Sequence, residues 1–120
     1  MCSGHVPDEL MHPFKRPNVP ALHPSSARFI AILDEIKSMH LKKMADYGKP
    51  GDPFANVRAS VGFGVSAWIG AMIRANDKVA RLQSLATTGK LTNEGAQDSF
   101  LDLASYAIIA LVLYEETIVR

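Results

Sequence analysis

The sequence predicts an all-α protein: a helical bundle of about three to four helices behind an irregular, proline-rich N-terminal arm. Three observations carry this expectation. Apolar residues recur at three- and four-residue spacings over long segments, as on one face of a helix. Glycine and proline clusters break the chain between those segments. No segment alternates apolar and polar residues as a half-buried strand does.

The arm covers residues 1–25 and holds five of the seven prolines, Pro7, Pro13, Pro17, Pro20 and Pro24. Proline has no amide proton to give a helix or a sheet, so this stretch is expected to be irregular or extended. Leu10, Met11, Phe14 and Leu22 give it apolar groups with which to drape over the core or a neighbouring subunit. His5, His12 and His23 follow no metal-ligand spacing and read as surface histidines.

Residues 26–120 form the helical domain. Its first helix is expected from about Ser26 to Asp46, capped by Ser25 or Ser26. Phe29, Ile32, Leu33, Ile36, Met39 and Met44 fall on one face, and His40 and Lys43 join that face near its end. A lysine on an apolar stripe either snorkels to water or meets an anion at the core's edge. Gly48, Pro50 and Gly51 stop the helix.

Asp52-Pro53 reads as a cap and first turn, starting a short helix over about Pro53 to Ser60 that Gly62 and Gly64 break. A long helix follows over about Ser66 to Thr87. Trp68, Ile69, Met72, Val79 and Leu82 form its apolar side, and Arg74, Asp77, Lys78 and Arg81 gather on the opposite side. The last helix is expected from near Thr92 or Asn93 to the C-terminus, with Leu91 as a staple. Glu94, Asp98 and Asp102 lie four residues apart on one of its faces. That face continues as Ser105, Ile109 and Leu113, so the acids point toward the protein. The second half of this helix is apolar nearly all round and must be buried all round. So few helices cannot surround it, which predicts a homodimer or homotetramer with this helix at the interface.

Composition bounds the function classes. Apolar residues make up 48% and charged residues 21% of the 120 residues, an ordinary globular balance for one domain. The net charge of +1 gives no bulk attraction to nucleic acid or membrane. The single cysteine, Cys2, cannot form an internal disulfide. No signal peptide is evident, and the longest apolar stretch, Leu103 to Leu113, is about half a membrane span. The expected location is the cytoplasm.

The chemistry-bearing residues form two groups, the acidic ladder Glu94, Asp98, Asp102 and the mixed stripe Arg74, Asp77, Lys78, Arg81. Carboxylates on neighbouring helices suit Mg²⁺, and arginine or lysine beside them suits phosphate. The bland reading of the stripe is a solvated helix face with weak ion pairs. Like charges four apart repel, so the ladder argues less readily for a structural role.

Four segments, taken in order, resemble a known family. They are KKMADYG (Lys42–Gly48), DPFANV (Asp52–Val57), IRANDKVARL (Ile73–Leu82) and NEGAQDSFLDLASYAII (Asn93–Ile109). Together they look like the nucleotide modification associated domain 1 family, related to the MazG-like all-α nucleoside triphosphate pyrophosphatases, over about residues 28–115. The resemblance implies Mg²⁺-dependent cleavage of a nucleoside triphosphate to a monophosphate and pyrophosphate. The wider superfamily pairs an E-x-x-E helix with an E-x-x-D helix. Here the first slot reads Arg74-Ala75-Asn76-Asp77, where only Asp77 matches in charge, and Glu94 to Asp98 is one residue longer than the second. Glu35 is a candidate for the missing ligand.

By the same resemblance, Asp77, Glu94 and Asp98 would hold Mg²⁺, and Asp102 would accept or orient the proton of the attacking water. Lys43, Asp46 and Tyr47 would line the nucleotide site, Tyr47 stacking on a base; without the family, Tyr47 reads as a helix-end aromatic on the core. Arg74, Lys78 and Arg81 would approach the phosphates or pair with Asp77 and the ladder. Asp52 and Asn56 read as a cap and a turn contact. The expected function is a pyrophosphohydrolase that remodels a nucleotide pool, as for a phage genome with a modified base. The alternatives are a non-catalytic nucleotide-binding module and a helical dimer without a small ligand.

Overall fold

The computed structural model describes residues 21–46, 51–90 and 95–119. The protein is all-α, and no strand occurs among the described residues. Helix α1 spans Pro24–Asp46, α2 spans Ala55–Arg58, a 3₁₀ turn spans Ala59–Phe63, α3 spans Ala67–Thr88 and α4 spans Ala96–Val119. The chain divides into two units, Met1–Asp34 and Glu35–Arg120, with the boundary inside α1.

In the first unit, α1 starts two residues before the expected Ser26. Pro24 sits in the first turn, where its missing amide proton costs no helical bond. The cap is His23 rather than a serine: its Nδ1 accepts the amide of Ser25 at 3.0 Å, and its carbonyl accepts the amide of Ala27. Phe29 and Leu33, on the expected apolar stripe, are exposed.

In the second unit, α3 and α4 run antiparallel. Trp68 meets Tyr114 near one end of the pair, and Lys78 meets Asp102 further along it. The buried core is Val57, Ala71, Ala110 and Leu113, with Phe54, Ala67, Trp68, Tyr106 and Ile109 packed around it. Ala71, Ala75 and Ala110 are small, which lets the two helix backbones come close. Gly70 is where the 3₁₀ segment presses on α3. A Cβ built there would lie 2.6 Å from the Ser60 Oγ and 2.9 Å from the Val57 carbonyl oxygen.

The short helix differs from its expected form. It begins at Ala55, and its continuation tightens into the 3₁₀ turn, which runs through Gly62 and stops at Gly64. Asp52 still organises the start, because its Oδ1 accepts the amide of Phe54 at 2.9 Å. The Ser60 hydroxyl donates to the Val65 carbonyl at 2.9 Å and braces the entry to α3. Helix α3 ends at Gly89, whose left-handed backbone (φ 79°) lets its amide reach the Leu85 carbonyl at 2.8 Å.

Helix α4 starts later than the expected Thr92 or Asn93. Gly95 lies outside the helix and its carbonyl accepts the amide of Ser99, so glycine serves as the cap instead of being spent in the helix interior. Glu94 and Leu91 lie outside the described residues. The all-round burial expected of α4 is absent from the single chain: Phe100, Ile108, Leu111, Tyr114 and Ile118 are all exposed. By length and composition Ala96–Ile118 could cross a membrane, a longer apolar stretch than the half-span read from the sequence. The longer window arises because the acids Asp98, Asp102, Glu115 and Glu116 sit toward its two ends.

Candidate functional site

A groove of about 250 Å³ runs between the C-terminal half of α1, the turn before α2, and α4. Residues Ile36, Met39, His40 and Lys43 come from α1, and Pro53 and Phe54 from the turn. Helix α4 supplies Asp102, Ser105, Tyr106, Ile108, Ile109 and Val112 at the spacings of one helix face. The walls are thus mostly apolar, with a few polar groups converging on them, as ligand clefts commonly are.

The polar groups are of distinct kinds. Lys43 brings a cation from the end of α1. Asp102 brings a carboxylate and forms an ion pair with Lys78 of α3, Nζ to Oδ2 at 3.0 Å. The Lys78 side chain is only 16% exposed, so its charge works with little solvent around it. His40 stacks on Phe54, ring centroids 5.8 Å apart and 28° from parallel. With Tyr106 they give the groove three aromatic rings.

The structure therefore brings Lys43 and Asp102 together in one groove, with Lys78 behind Asp102. Arg74, Asp77 and Asp98 are exposed and do not line it, and Arg81 is half-buried. Glu35 is half-buried on α1. The Asp46 side chain, Tyr47 and Glu94 lie outside the described residues. Sequence reading missed Phe54 and Tyr106 as lining groups, because each looks like an ordinary core aromatic until its neighbours are known. His40 was signalled by its place on the α1 stripe.

A second polar cluster was also missed. Arg58 donates to Glu116 through both terminal nitrogens, at 2.8 and 3.2 Å, and through Nε to Asp52. The paired bonds to Glu116, with Asp52 adding to them, keep this guanidinium charged well above the ordinary arginine range. This network ties the turn before α2 to the far end of α4, and so fixes Phe54 in the groove wall. Its partners lie six and fifty-eight residues away in sequence, so no local pattern signals it.

A Mg²⁺ site needs several hard oxygen donors converging on one point. Among the described residues, no group of three or more histidine, cysteine, aspartate or glutamate side chains is placed to hold a metal ion. Asp102 is engaged by Lys78. The described carboxylates are of the right chemical kind but do not by themselves compose the site. Comparison with family models, with curated proteins and with solved structures finds no match. The resemblance to the MazG-like pyrophosphatases therefore stands on the four sequence segments.

Proposed function

We propose that the groove binds a nucleotide and that the chain is a nucleoside triphosphate pyrophosphohydrolase. The observation that carries this reading is the convergence of Lys43 and the Lys78–Asp102 pair on a groove with aromatic and apolar walls. Phe54 and Tyr106 offer faces for a base, and Lys43 offers a charge for phosphate. Asp102, held by Lys78, would orient a water molecule or a ribose hydroxyl. The four motifs supply the reaction class, and Asp77, Glu94 and Asp98 remain the proposed Mg²⁺ ligands on that ground alone.

The second reading is a nucleotide-binding module that does not turn over. Two observations favour it: Asp102 is neutralised by Lys78, and no three-ligand metal group occurs among the described residues. Pyrophosphate release from each of the four dNTPs, with and without Mg²⁺, separates the two. The enzyme releases pyrophosphate only with Mg²⁺, and Asp98→Asn loses that release. A binder shows saturable nucleotide binding and no product. Neither binding nor product would end both readings.

A further inference from the structure

The groove has two long walls, α1 and α4, and the turn carrying Pro53 and Phe54 completes it. Phe54 touches both sides. Its ring stacks on His40 of α1 and packs against the core that Ala110 and Leu113 of α4 help to form. Its backbone is held as well. The amide donates to Asp52 Oδ1 at 2.9 Å, and the carbonyl accepts the amides of Val57 at 3.0 Å and Arg58 at 2.9 Å. The other oxygen of Asp52 accepts from Arg58 Nε, and the two terminal nitrogens of Arg58 donate to the two oxygens of Glu116. Glu116 lies one helical turn past Val112 on α4. An unbroken chain of contacts therefore runs from Glu116 through Arg58, Asp52 and Phe54 to His40. Its first three members do not line the groove.

Resting on the nucleotide reading of the groove, we propose that Arg58 is a positioning residue for it: without touching the ligand, Arg58 sets the place of the α1 wall and of Lys43 on that wall. A guanidinium is a rigid planar fork with five donors. Here it serves Asp52 with one edge and Glu116 with another, and few geometries satisfy all three bonds at once. The fork therefore fixes the angle between the turn and α4 as well as their distance. Asp52 passes that constraint to the Phe54 backbone, because one oxygen holds Arg58 and the other holds the Phe54 amide. Phe54 passes it to α1 through the stacked His40 ring. Lys43 is about one turn beyond His40, so a tilt at His40 reaches the ammonium that would meet phosphate. Small misplacements of a binding group are costly in a preorganised site.

The competing account is that core packing alone holds Phe54 and that Arg58 is only a stabilising clamp. Solvent exposure argues against the clamp. The Arg58 and Glu116 side chains are 37% and 39% exposed, so their pairing contributes little to folding. Three directed bonds from one side chain constrain orientation even where they add little stability. Loss of Arg58 should therefore weaken the ligand more than it weakens the fold.

The test uses the full chain and two readouts. In proton NMR the ring current of Phe54 displaces the His40 imidazole signals from their positions in Phe54→Leu, and His40→Gln identifies those signals by their loss. In Arg58→Ala they should move most of the way to the Phe54→Leu positions, and in Glu116→Gln part of the way, with helical circular dichroism unchanged. Wild-type His40 signals in both variants overturn the proposal. If Arg58→Ala does not fold, Glu116→Gln carries the same comparison, since it keeps the size of the side chain. The second readout is calorimetric affinity for the dNTP that the wild type binds best. Arg58→Ala should raise its dissociation constant about fivefold, as distant positioning residues do, and should raise it no further in a Lys43→Ala background. Fully additive losses overturn the route through α1. A wild-type chain that binds no dNTP ends the nucleotide reading instead, and the His40 signals then decide alone whether Arg58 sets the wall.

Discussion

Two glycines show how differently one residue type can be used. At Gly70 the constraint is space: an added methyl meets the Val57 carbonyl, a backbone atom that cannot swing away. Gly70→Ala is expected to cost about 1–3 kcal/mol, read from urea unfolding. Adding Ser60→Gly should recover only part of this, because the carbonyl contact remains. At Gly89 there is open space, and the constraint is the left-handed backbone (φ 79°). Gly89→Ala is expected to cost roughly 1–2 kcal/mol with no help from any neighbouring deletion. Equal recovery in both cases would contradict this division. Arg58 is the third residue whose role is specific. It is about one-third exposed, so solvent weakens its pairs, and Arg58→Ala should cost about 1 kcal/mol. A double-mutant cycle with Glu116→Gln should return a coupling of similar size that shrinks in high salt. Additive effects would mean that the pair contributes nothing.

Among the elements, the legible ones are those whose signals are local. The periodicity of α1, α3 and α4 lies within a few residues of what it controls. The helix starts were read less well. His23 caps α1 in place of a serine, its imidazole Nδ1 accepting an amide as a hydroxyl would, and α4 starts at Ala96 after Gly95 instead of near Thr92 or Asn93. Part of the site was legible too. Lys43 was singled out because it falls on an apolar stripe, and Asp102 as the last acid of the ladder with Glu94 and Asp98; both line the groove. Phe54, Tyr106 and the Arg58 network depend on contacts across long sequence separations, which spacing does not encode. At this scale the account predicts that Lys43→Ala weakens nucleotide binding about tenfold while leaving the melting temperature within a degree or two, because Lys43 is exposed at a helix end. A large loss of stability would assign Lys43 to packing instead.

For the whole molecule, the second unit is built on few large buried side chains. Its core rests on alanines, Val57 and Leu113, while large apolar groups stand in the groove wall and on the outer face of α4. Such a unit has more to gain from a ligand and a partner than a fully packed domain has. Saturating nucleotide should therefore raise the melting temperature by several degrees, as binding to the native state alone requires. Absence of any shift across the four dNTPs would count against a nucleotide in the groove.

The central claim is that a nucleotide bound in this groove is hydrolysed, and pyrophosphate release tests it most directly. The four dNTPs are incubated with and without Mg²⁺, using the wild-type chain, Asp98→Asn and Lys43→Ala. The account predicts Mg²⁺-dependent release from at least one dNTP, abolished by Asp98→Asn and reduced through KM by Lys43→Ala. Release that both variants retain, or none from a chain that binds the nucleotide tightly, would contradict it.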